Sequence, residues 1–315
     1  MTRSLALALL VGVGLLLARP AACQDLTPRA YVIAPVGYSA LDLSYAYMEG
    51  NLDFAGAVPI TGATASISLP AVSYYHSFDF FGRTANFLVA VPYGAGTFDG
   101  TVAQVPKSAY RSGSLDAIGR LAVNLIGGPA MAPAEFASWR QSVLLGASLK
   151  IIAPTGQYDP TRLINWGSNR WAFKPELGYS QRFGNWIVDG YGAVWFFTKN
   201  PEFFSYNPYY PGLQSQTQAP VGAVEFHLSR DFGRRMWLSL DANYWWGGAT
   251  SLNGVENDLT NQKSSRIGIT GSVPLTAHQS LKLSFSDGAY VRYGGNYRAI
   301  TLAWQYGWIG WSPFR

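Results

Sequence analysis

The sequence predicts an all-β fold, a single antiparallel up-and-down transmembrane β-barrel of about 12 strands. Long segments alternate apolar and polar residues, and the connections between them are alternately short and long. After Ala22 no apolar run is long enough for a membrane helix. Aromatic residues make up 15% of the 315 residues, charged residues only 13%, and mean hydropathy is +0.04. A soluble sandwich of similar strands is the alternative that period-two alternation alone leaves open.

The first segment is predicted to be a secretory signal peptide rather than part of the fold. A positive residue, Arg3, precedes the apolar run LALALLVGVGLLLA, and small residues follow it. We therefore assign residues 1–23 to the signal peptide and residues 24–315 to one outer-membrane β-barrel domain, with cleavage between Ala22 and Gln24.

Two other interpretations of this segment are weaker. A membrane anchor would need a longer apolar core to cross a bilayer of about 30 Å. A lipid anchor on Cys23 is disfavoured because Pro20 stands where such a signal has a branched apolar residue. Cys23 is the only cysteine, so no disulfide framework is expected in the exported domain.

Twelve segments alternate apolar and polar residues, as strands do, and each is about 10 to 13 residues long. This length exceeds that of typical strands in soluble proteins and suits tilted strands that cross a bilayer. In the last one, Ile300, Leu302 and Trp304 share one side, and Thr301 and Ala303 share the other. The predicted strand centres, in order, are Ser44, Tyr74, Val89, Val123, Ala147, Leu177, Gly192, Phe226, Asp241, Thr270, Leu283 and Ala303. We expect the strand at Ser44 to close the barrel against the strand at Ala303.

Short turns recur with a common sequence. FFGR, RFGN and DFGR place glycines at Gly82, Gly184 and Gly233, separated by 102 and 49 residues. GGPAMAP (Gly127–Pro133) lies where one further turn of this series is due. A period of about 50 residues is one hairpin plus its long loop, so we predict periplasmic turns here and long loops at the outer surface.

Charged side chains fall on the polar side of the strands, which in a barrel faces the lumen. Lys174 and Glu176 share that side in WAFKPELGY and are expected to pair with each other or with charges on adjacent strands. These charges either satisfy one another as a plug or line a pore of mixed charge. The predicted lumen residues are Asp116, Arg120, Lys150, Lys174, Glu176, Glu225, His227, Asp241, Arg266, Lys282 and Arg298.

Other classes of function are poorly supported. The formal net charge of +5 comes without a Lys/Arg cluster, so no nucleic-acid partner is expected. No metal-ligand spacing is present, and we predict neither metal nor cofactor. Outer-membrane lipases place a serine and a histidine on the lipid face, but Ser77 follows His76 on the opposite side of its strand. We therefore expect no enzyme activity.

Five stretches of the sequence are recognisable: Gln24–Leu41, Val72–Asn86, Val91–Gly100, Ala153–Ser180 and Tyr191–Asn200. Together they resemble the family named for the meta-pathway of phenol degradation. The match covers most of the mature chain, and APTGQYDP and NRWAFKPELG are the most specific parts. The resemblance implies an outer-membrane barrel transporter associated with aromatic catabolism, and it carries over no site residues.

The expected function is a channel in the outer membrane of a Gram-negative bacterium that takes up small molecules, hydrophobic or aromatic ones in particular. Its partners are the outer-membrane lipid and the small-molecule cargo. Aromatic residues in one long loop form either a platform for the cargo or simple loop packing: Phe203, Phe204, Tyr206, Tyr209 and Tyr210. A structural barrel with a plugged lumen is the second hypothesis, and an outer-membrane hydrolase is the third.

Overall fold

The computed structural model describes residues 26–53, 60–102, 104–208, 210–233 and 235–310. The predicted signal peptide lies outside the described residues, as do Tyr209 and Arg234. Within the described ranges, no helix has the length and apolar character needed to cross a membrane.

Sixteen strands and one short helix, α1 (Pro133–Phe136), form the described structure, with a single 3-10 turn at Asp258–Thr260. The strands are β1 (Tyr38–Asp53), β2 (Ile60–Phe80), β3 (Arg83–Val102), β4 (Val105–Ser114), β5 (Ala117–Ile126), β6 (Val143–Ala153), β7 (Ala172–Phe183), β8 (Trp186–Phe197), β9 (Gln216–Gln218), β10 (Val221–Asp231), β11 (Trp237–Gly247), β12 (Thr250–Leu252), β13 (Val255–Asn257), β14 (Gln262–Pro274), β15 (Gln279–Val291) and β16 (Gly294–Ile309).

Twelve of these strands close into one antiparallel barrel, which confirms the predicted fold and excludes the sandwich. Strand β1 pairs with β16, and Ser44 lies opposite Ala303 as predicted. Strand β4 is an addition that pairs with the far part of β3, and β9, β12 and β13 form a separate small sheet. Closure leaves the barrel without a free edge, which a bilayer requires because it offers the backbone no hydrogen-bond partners.

The outside of the barrel is apolar. Along β16, Ile300 and Leu302 are 49% and 46% exposed, whereas Tyr297 and Ala303 on the other side are 1% and 6% exposed. Leu43 and Tyr45 on β1 are exposed in the same way. An apolar outer face on a closed barrel is the arrangement of a strand-built membrane protein.

One end of the barrel, called here the turn end, carries the short connections. Phe81 and Gly82 form a two-residue turn with φ of 52° and 77°, the left-handed values that a tight hairpin turn needs. Gly184 and Gly233 also have positive φ, so the repeated glycines do mark turns. The GGPAMAP stretch connects β5 to β6 at the same end, together with α1.

At the opposite end, called the loop end, the long loops fold across the mouth of the barrel. Phe203 and Phe204, from the loop after β8, pack with Ala63 of β2. Ile164, from the loop after β6, packs with Ile67 of β2 and with other side chains of the opposite wall. Two apolar clusters therefore bridge the mouth.

The chain before β1 lies inside the barrel. This N-terminal segment (residues 26–37) enters at the turn end, where the main-chain N–H of Val36 donates to Met131 and that of Gly37 donates to Ser77. From there it runs back into the lumen and contacts the walls formed by β6, β7, β8 and β10. No pattern in the sequence predicted this position of the N-terminal segment.

Candidate functional site in the barrel lumen

A cavity of about 680 Å³ remains in the lumen beside the N-terminal segment. Its lining comes from the segment and from strands around the whole barrel. Of the predicted lumen residues, six line this cavity: Arg120, Lys150, Lys174, Glu176, Glu225 and Lys282.

Tyr31 anchors the segment in a slot made by two glycines. Gly146 of β6 and Gly178 of β7 lie directly opposite each other in the sheet. A Cβ atom would lie 2.2 Å from the Tyr31 ring at Gly146 and 2.0 Å from it at Gly178. The ring therefore occupies space that any other residue at either position would fill.

Polar contacts fix the orientation of the Tyr31 ring. Its hydroxyl group lies 3.1 Å from Ser148 Oγ and 3.0 Å from Glu176 Oε1. The guanidinium of Arg120 lies 5.1 Å from the ring centroid, within the range of a cation–π contact. Tyr31 is 1% exposed, and it ties the segment to three wall strands.

Arg29 ties the segment to the turn end of the barrel. Its Nη2 lies 2.7 Å from Asp231 Oδ1, and its Nε donates to Ser229 Oγ at 2.9 Å. The guanidinium also lies 4.7 Å from the Trp237 ring. The main-chain N–H of Arg29 donates to Asp189 Oδ2 at 3.3 Å, so wall side chains satisfy backbone groups that have no strand partner.

Lys174 is the centre of a buried ion-pair network. Its Nζ lies 2.8 Å from Glu176 Oε2 and 2.9 Å from Glu225 Oε1. All three side chains are 7% exposed or less. The predicted pairing of Lys174 with Glu176 is thus present, and Glu225 joins it from β10.

The network continues behind Glu225. His227 Nε2 lies 3.5 Å from Glu225 Oε2, and its Nδ1 lies 2.8 Å from Asp241 Oδ1. Asp241 also accepts hydrogen bonds from Ser239 Oγ at 2.6 Å and Thr270 Oγ1 at 2.7 Å. These groups come from β10, β11 and β14. Glu225 lines the cavity, but His227 and Asp241 do not, so they support the wall from behind.

Three further predicted lumen residues do not line this cavity. Asp116 accepts hydrogen bonds from the main-chain N–H groups of Gly156 and Ser168, so it holds a long loop against the barrel. Arg266 is buried on the inner side of β14, and its Nη1 donates to Ser286 Oγ. Arg298 does not line the lumen.

Arg298 shares the outward side of β16 with Ile300 and Leu302. Its side chain is 59% exposed, and its Nε lies 3.5 Å from Asp287 Oδ2. Towards the loop end the outside of a barrel is no longer hydrocarbon, so a charge can face outward there at little cost. The prediction that Arg298 lines the lumen, which was based on its charge, is therefore wrong.

The aromatic loop residues are divided between two environments. Phe203 and Phe204 are 2% and 7% exposed in the packed cluster at the mouth. Tyr206 is 52% exposed, and the hydroxyl of Tyr210 accepts a hydrogen bond from Asn253 Nδ2. Tyr209 lies outside the described residues. Packing accounts for the two phenylalanines, and a role for the tyrosines towards cargo remains a prediction.

The loop after β6 has its own polar turn. Thr161 Oγ1 donates to Asp159 Oδ1 at 2.6 Å, and Arg162 forms an ion pair with the same carboxylate. The Thr161 hydrogen bond is the main reason why the pKa of Asp159 lies below its ordinary value. These contacts stabilise the loop that carries Ile164 over the mouth.

A serine–histidine pair does occur, but between residues distant in sequence. His76 Nδ1 lies 2.8 Å from Ser39 Oγ on the outward side of β1 and β2, beneath aromatic rings that include Tyr74. Ser77 points away and donates to the carbonyl of Pro35. Among the described residues, His76 Nε2 has no hydrogen-bond partner, so no carboxylate orients the pair.

Metal chemistry finds no support in the described part of the chain, where no group of three or more His, Cys, Asp and Glu side chains could hold a metal ion.

The glycine slot gives a first testable prediction. Gly178→Ala places a Cβ atom against the Tyr31 ring, and the N-terminal segment should then leave its site. We expect trypsin to cleave detergent-solubilised Gly178→Ala after Arg29 much faster than the wild type, with mass spectrometry identifying the new N terminus. Gly192→Ala is the matched control, because a Cβ atom there has no neighbour within 4 Å. Equal protection of Arg29 in both variants would show that the slot does not hold the segment.

No sequence pattern predicted that Arg29 and Tyr31 of the N-terminal segment would lie in the lumen. Their neighbours Asp189 and Tyr191, which accept hydrogen bonds from the main chain of the segment, were not predicted either. The segment has no period-two alternation, and its contacts join residues more than 100 positions apart. One signal was present, since Gly146 and Gly178 fall on the inner side of strands predicted to be adjacent. Paired glycines on a wall indicate close approach of another part of the chain.

Comparison with known proteins agrees with the fold. A family model described as Putative MetA-pathway of phenol degradation matches residues 51–302. A search of curated protein sequences found no match.

Solved structures include a close match in architecture. A crystal structure of an outer membrane channel from Pseudomonas putida F1 has a TM-score of 0.75 and 17% sequence identity, covering 90% of this chain and 100% of that one. The β domain of the Bordetella autotransporter BrkA has a TM-score of 0.49 and 11% identity, covering 86% and 100%. The KdgM porin has a TM-score of 0.40 and 8% identity, covering 84% and 98%.

Proposed function

The chain belongs to the family described as Putative MetA-pathway of phenol degradation, and we propose that it is a passive outer-membrane channel for the uptake of small molecules, including aromatic compounds. The observation that supports this most is the cavity of about 680 Å³ inside a closed barrel with an apolar outer face. A folded barrel needs no such space for its stability, whereas a solute needs it to pass.

The orientation follows from the connections. Barrels of the outer membrane have short turns on the periplasmic side and long loops outside. In this orientation the N-terminal segment enters the lumen from the periplasm, and the clusters around Phe203 and Ile164 face the exterior. Solutes would then pass a mouth narrowed by apolar side chains before they reach the charged cavity, which favours small solutes with apolar surface.

The chemistry supports transport rather than catalysis. In the ion-pair network around Lys174, the two ring nitrogens of His227 face the carboxylates of Asp241 and Glu225 rather than a serine hydroxyl. Within the described ranges no carboxylate orients the Ser39–His76 pair, and Ser39 is only 2% exposed. A structural barrel with a permanently plugged lumen is the main competing proposal, because the N-terminal segment and the ion pairs fill much of the interior.

Thiol modification distinguishes a conducting cavity from a plugged one. The mature chain is expected to contain no cysteine, so a single cysteine can be placed at Lys282 on the cavity wall or at Arg298 on the outside. A bulky, charged methanethiosulfonate reagent on both sides of a planar bilayer should strongly reduce the conductance of Lys282→Cys. The same reagent should leave Arg298→Cys unchanged. If mass spectrometry shows complete modification of Lys282→Cys and its conductance is unaltered, solutes do not pass through this cavity.

Glu176→Gln tests the contribution of the network to ion selectivity. Glutamine keeps one oxygen that can accept the hydrogen bond from Tyr31, and its NH₂ group replaces the oxygen that faces Lys174. Lys174 keeps its ion pair with Glu225. We expect the reversal potential to shift towards anion selectivity, with a stability loss below about 2 kcal/mol, typical of one weakened hydrogen bond. Unchanged selectivity together with a large loss of stability would instead support the plugged barrel.

A further inference from the structure

Three cationic side chains stand side by side on the lumen wall. Arg120 of β5 lies opposite Lys150 of β6, and Lys150 lies opposite Lys174 of β7. Like charges directly opposite each other on neighbouring strands repel, so this row has a cost in stability. Glu176 and Glu225 offset part of that cost through their ion pairs with Lys174.

These two carboxylates are shared with the N-terminal segment. Glu176 Oε1 accepts a hydrogen bond from the Tyr31 hydroxyl, and Glu225 Oε2 accepts one from the main-chain N–H of Thr27. Arg120 Nη2 lies 3.9 Å from Glu176 Oε1 and has no hydrogen-bond partner among the described residues. Arg120 therefore keeps donor capacity that Glu176 does not use.

Positive charge predominates around the whole cavity. Its described lining contains the carboxylates of Asp42, Glu176 and Glu225. Its cationic residues are Arg29, Arg120, Lys150, Lys174, Arg235 and Lys282. Arg29 forms an ion pair with Asp231. Even when Arg29 is left out, the cationic residues in this lining outnumber the carboxylates. A narrow space lined mainly by one sign of charge concentrates ions of the opposite sign.

An apolar surface adjoins the cationic row. Leu88 of β3 lies directly opposite Arg120, and Ile118 precedes Arg120 by two residues on the same side of β5. Both line the cavity, as does Val32 of the N-terminal segment. The cavity thus presents cationic donors on one side and aliphatic side chains next to them.

We propose that this cavity binds small organic anions with a flat apolar body, and aromatic carboxylates in particular. The carboxylate contacts Arg120 and Lys150, because a guanidinium and an ammonium donate strong charge-assisted hydrogen bonds to it. The ring lies against Leu88 and Ile118. This inference rests on the proposed channel function and names the class of cargo.

Binding in detergent tests the site without requiring transport. Titration calorimetry should show that the wild type binds benzoate at least about tenfold more tightly than benzyl alcohol, a difference of about 1.4 kcal/mol. Lys150→Gln should weaken benzoate binding by a similar factor, and Arg298→Gln, which removes a charge outside the lumen, should not. Leu88→Ser should weaken it as well, because the apolar wall is lost while the charges remain. Heat-modifiable migration on gels verifies that each variant is a folded barrel.

Ion selectivity measured in planar bilayers is the second test. Under a potassium chloride gradient the wild type should be anion-selective, Lys150→Gln less so, and Arg298→Gln unchanged; added benzoate should interrupt the chloride current. Benzoate binding without any conductance would contradict the channel function but not the anion site. A conducting wild type that is non-selective or cation-selective, or that binds benzyl alcohol as tightly as benzoate, would overturn the anion site.

Discussion

Deletion of residues 26–34 should increase the single-channel conductance several-fold. The segment occupies the lumen beside the cavity, and none of its residues belongs to a barrel strand. Its removal widens the aqueous path across the barrel, and the conductance of a pore rises with its open cross-section. The attachment of Val36 and Gly37 at the turn end is retained, so the barrel should still close. The measurement is the current step of single insertions in planar bilayers, compared with the wild type at the same salt concentration.

A second variant separates obstruction from mere shortening. If the nine deleted positions are instead filled with Gly and Ser, Tyr31 and Arg29 are lost and the length is kept. A flexible chain without these anchors should leave the lumen for most of the time, so its conductance should approach that of the deletion. Equal conductance in the wild type, the deletion and the Gly/Ser variant would show that the segment does not obstruct the path.

Lys174→Met should destabilise the folded barrel by ~3–5 kcal/mol, the usual cost of removing one partner from a buried ion pair. Methionine leaves Glu176 and Glu225 close together, each 7% exposed or less, without the cation between them. The expected result is a clear drop in the urea concentration at which the barrel unfolds in lipid vesicles, followed by tryptophan fluorescence.

The matched control for this variant is Lys282→Met. Lys282 also lines the cavity, but its side chain is exposed there, and an exposed charge contributes little to stability. We expect its unfolding midpoint to stay close to that of the wild type. If both variants unfold at the same urea concentration as the wild type, the network around Lys174 is not a source of stability.

The barrel itself could be predicted because the bilayer imposes simple rules on strands. A strand that crosses hydrocarbon must alternate and must pair on both sides, so alternation gives the strand positions and a closed sheet gives the pairing of β1 with β16. The predicted contact of Ser44 with Ala303 follows from these rules. The repeated FG turns follow from the need for positive φ in a tight hairpin, as at Gly82.

These rules do not predict the positions of residues outside the hydrocarbon or in segments that are not strands. Arg298 lies where the outside of the barrel contacts water rather than hydrocarbon, so a charge there does not indicate that the side chain faces the lumen. Asp116 immediately precedes β5 and accepts hydrogen bonds from loop groups such as Ser168. Tyr31 lies in a segment without periodicity, and its place depends on the shape of a slot between β6 and β7. Gly146 and Gly178 mark the slot in the sequence, but no pattern around Tyr31 indicates that its ring fills the slot.

The most direct test of the channel proposal is the rate at which radiolabelled benzoate equilibrates across vesicles that contain the purified protein. At a pH well above the pKa of benzoic acid, the anion crosses plain lipid slowly, so protein-free vesicles give a low background. The proposal predicts that wild-type vesicles fill much faster than protein-free vesicles and that the internal concentration rises to the external concentration without exceeding it. Equal rates in the two preparations, with the barrel shown to be folded and inserted, would contradict the proposal.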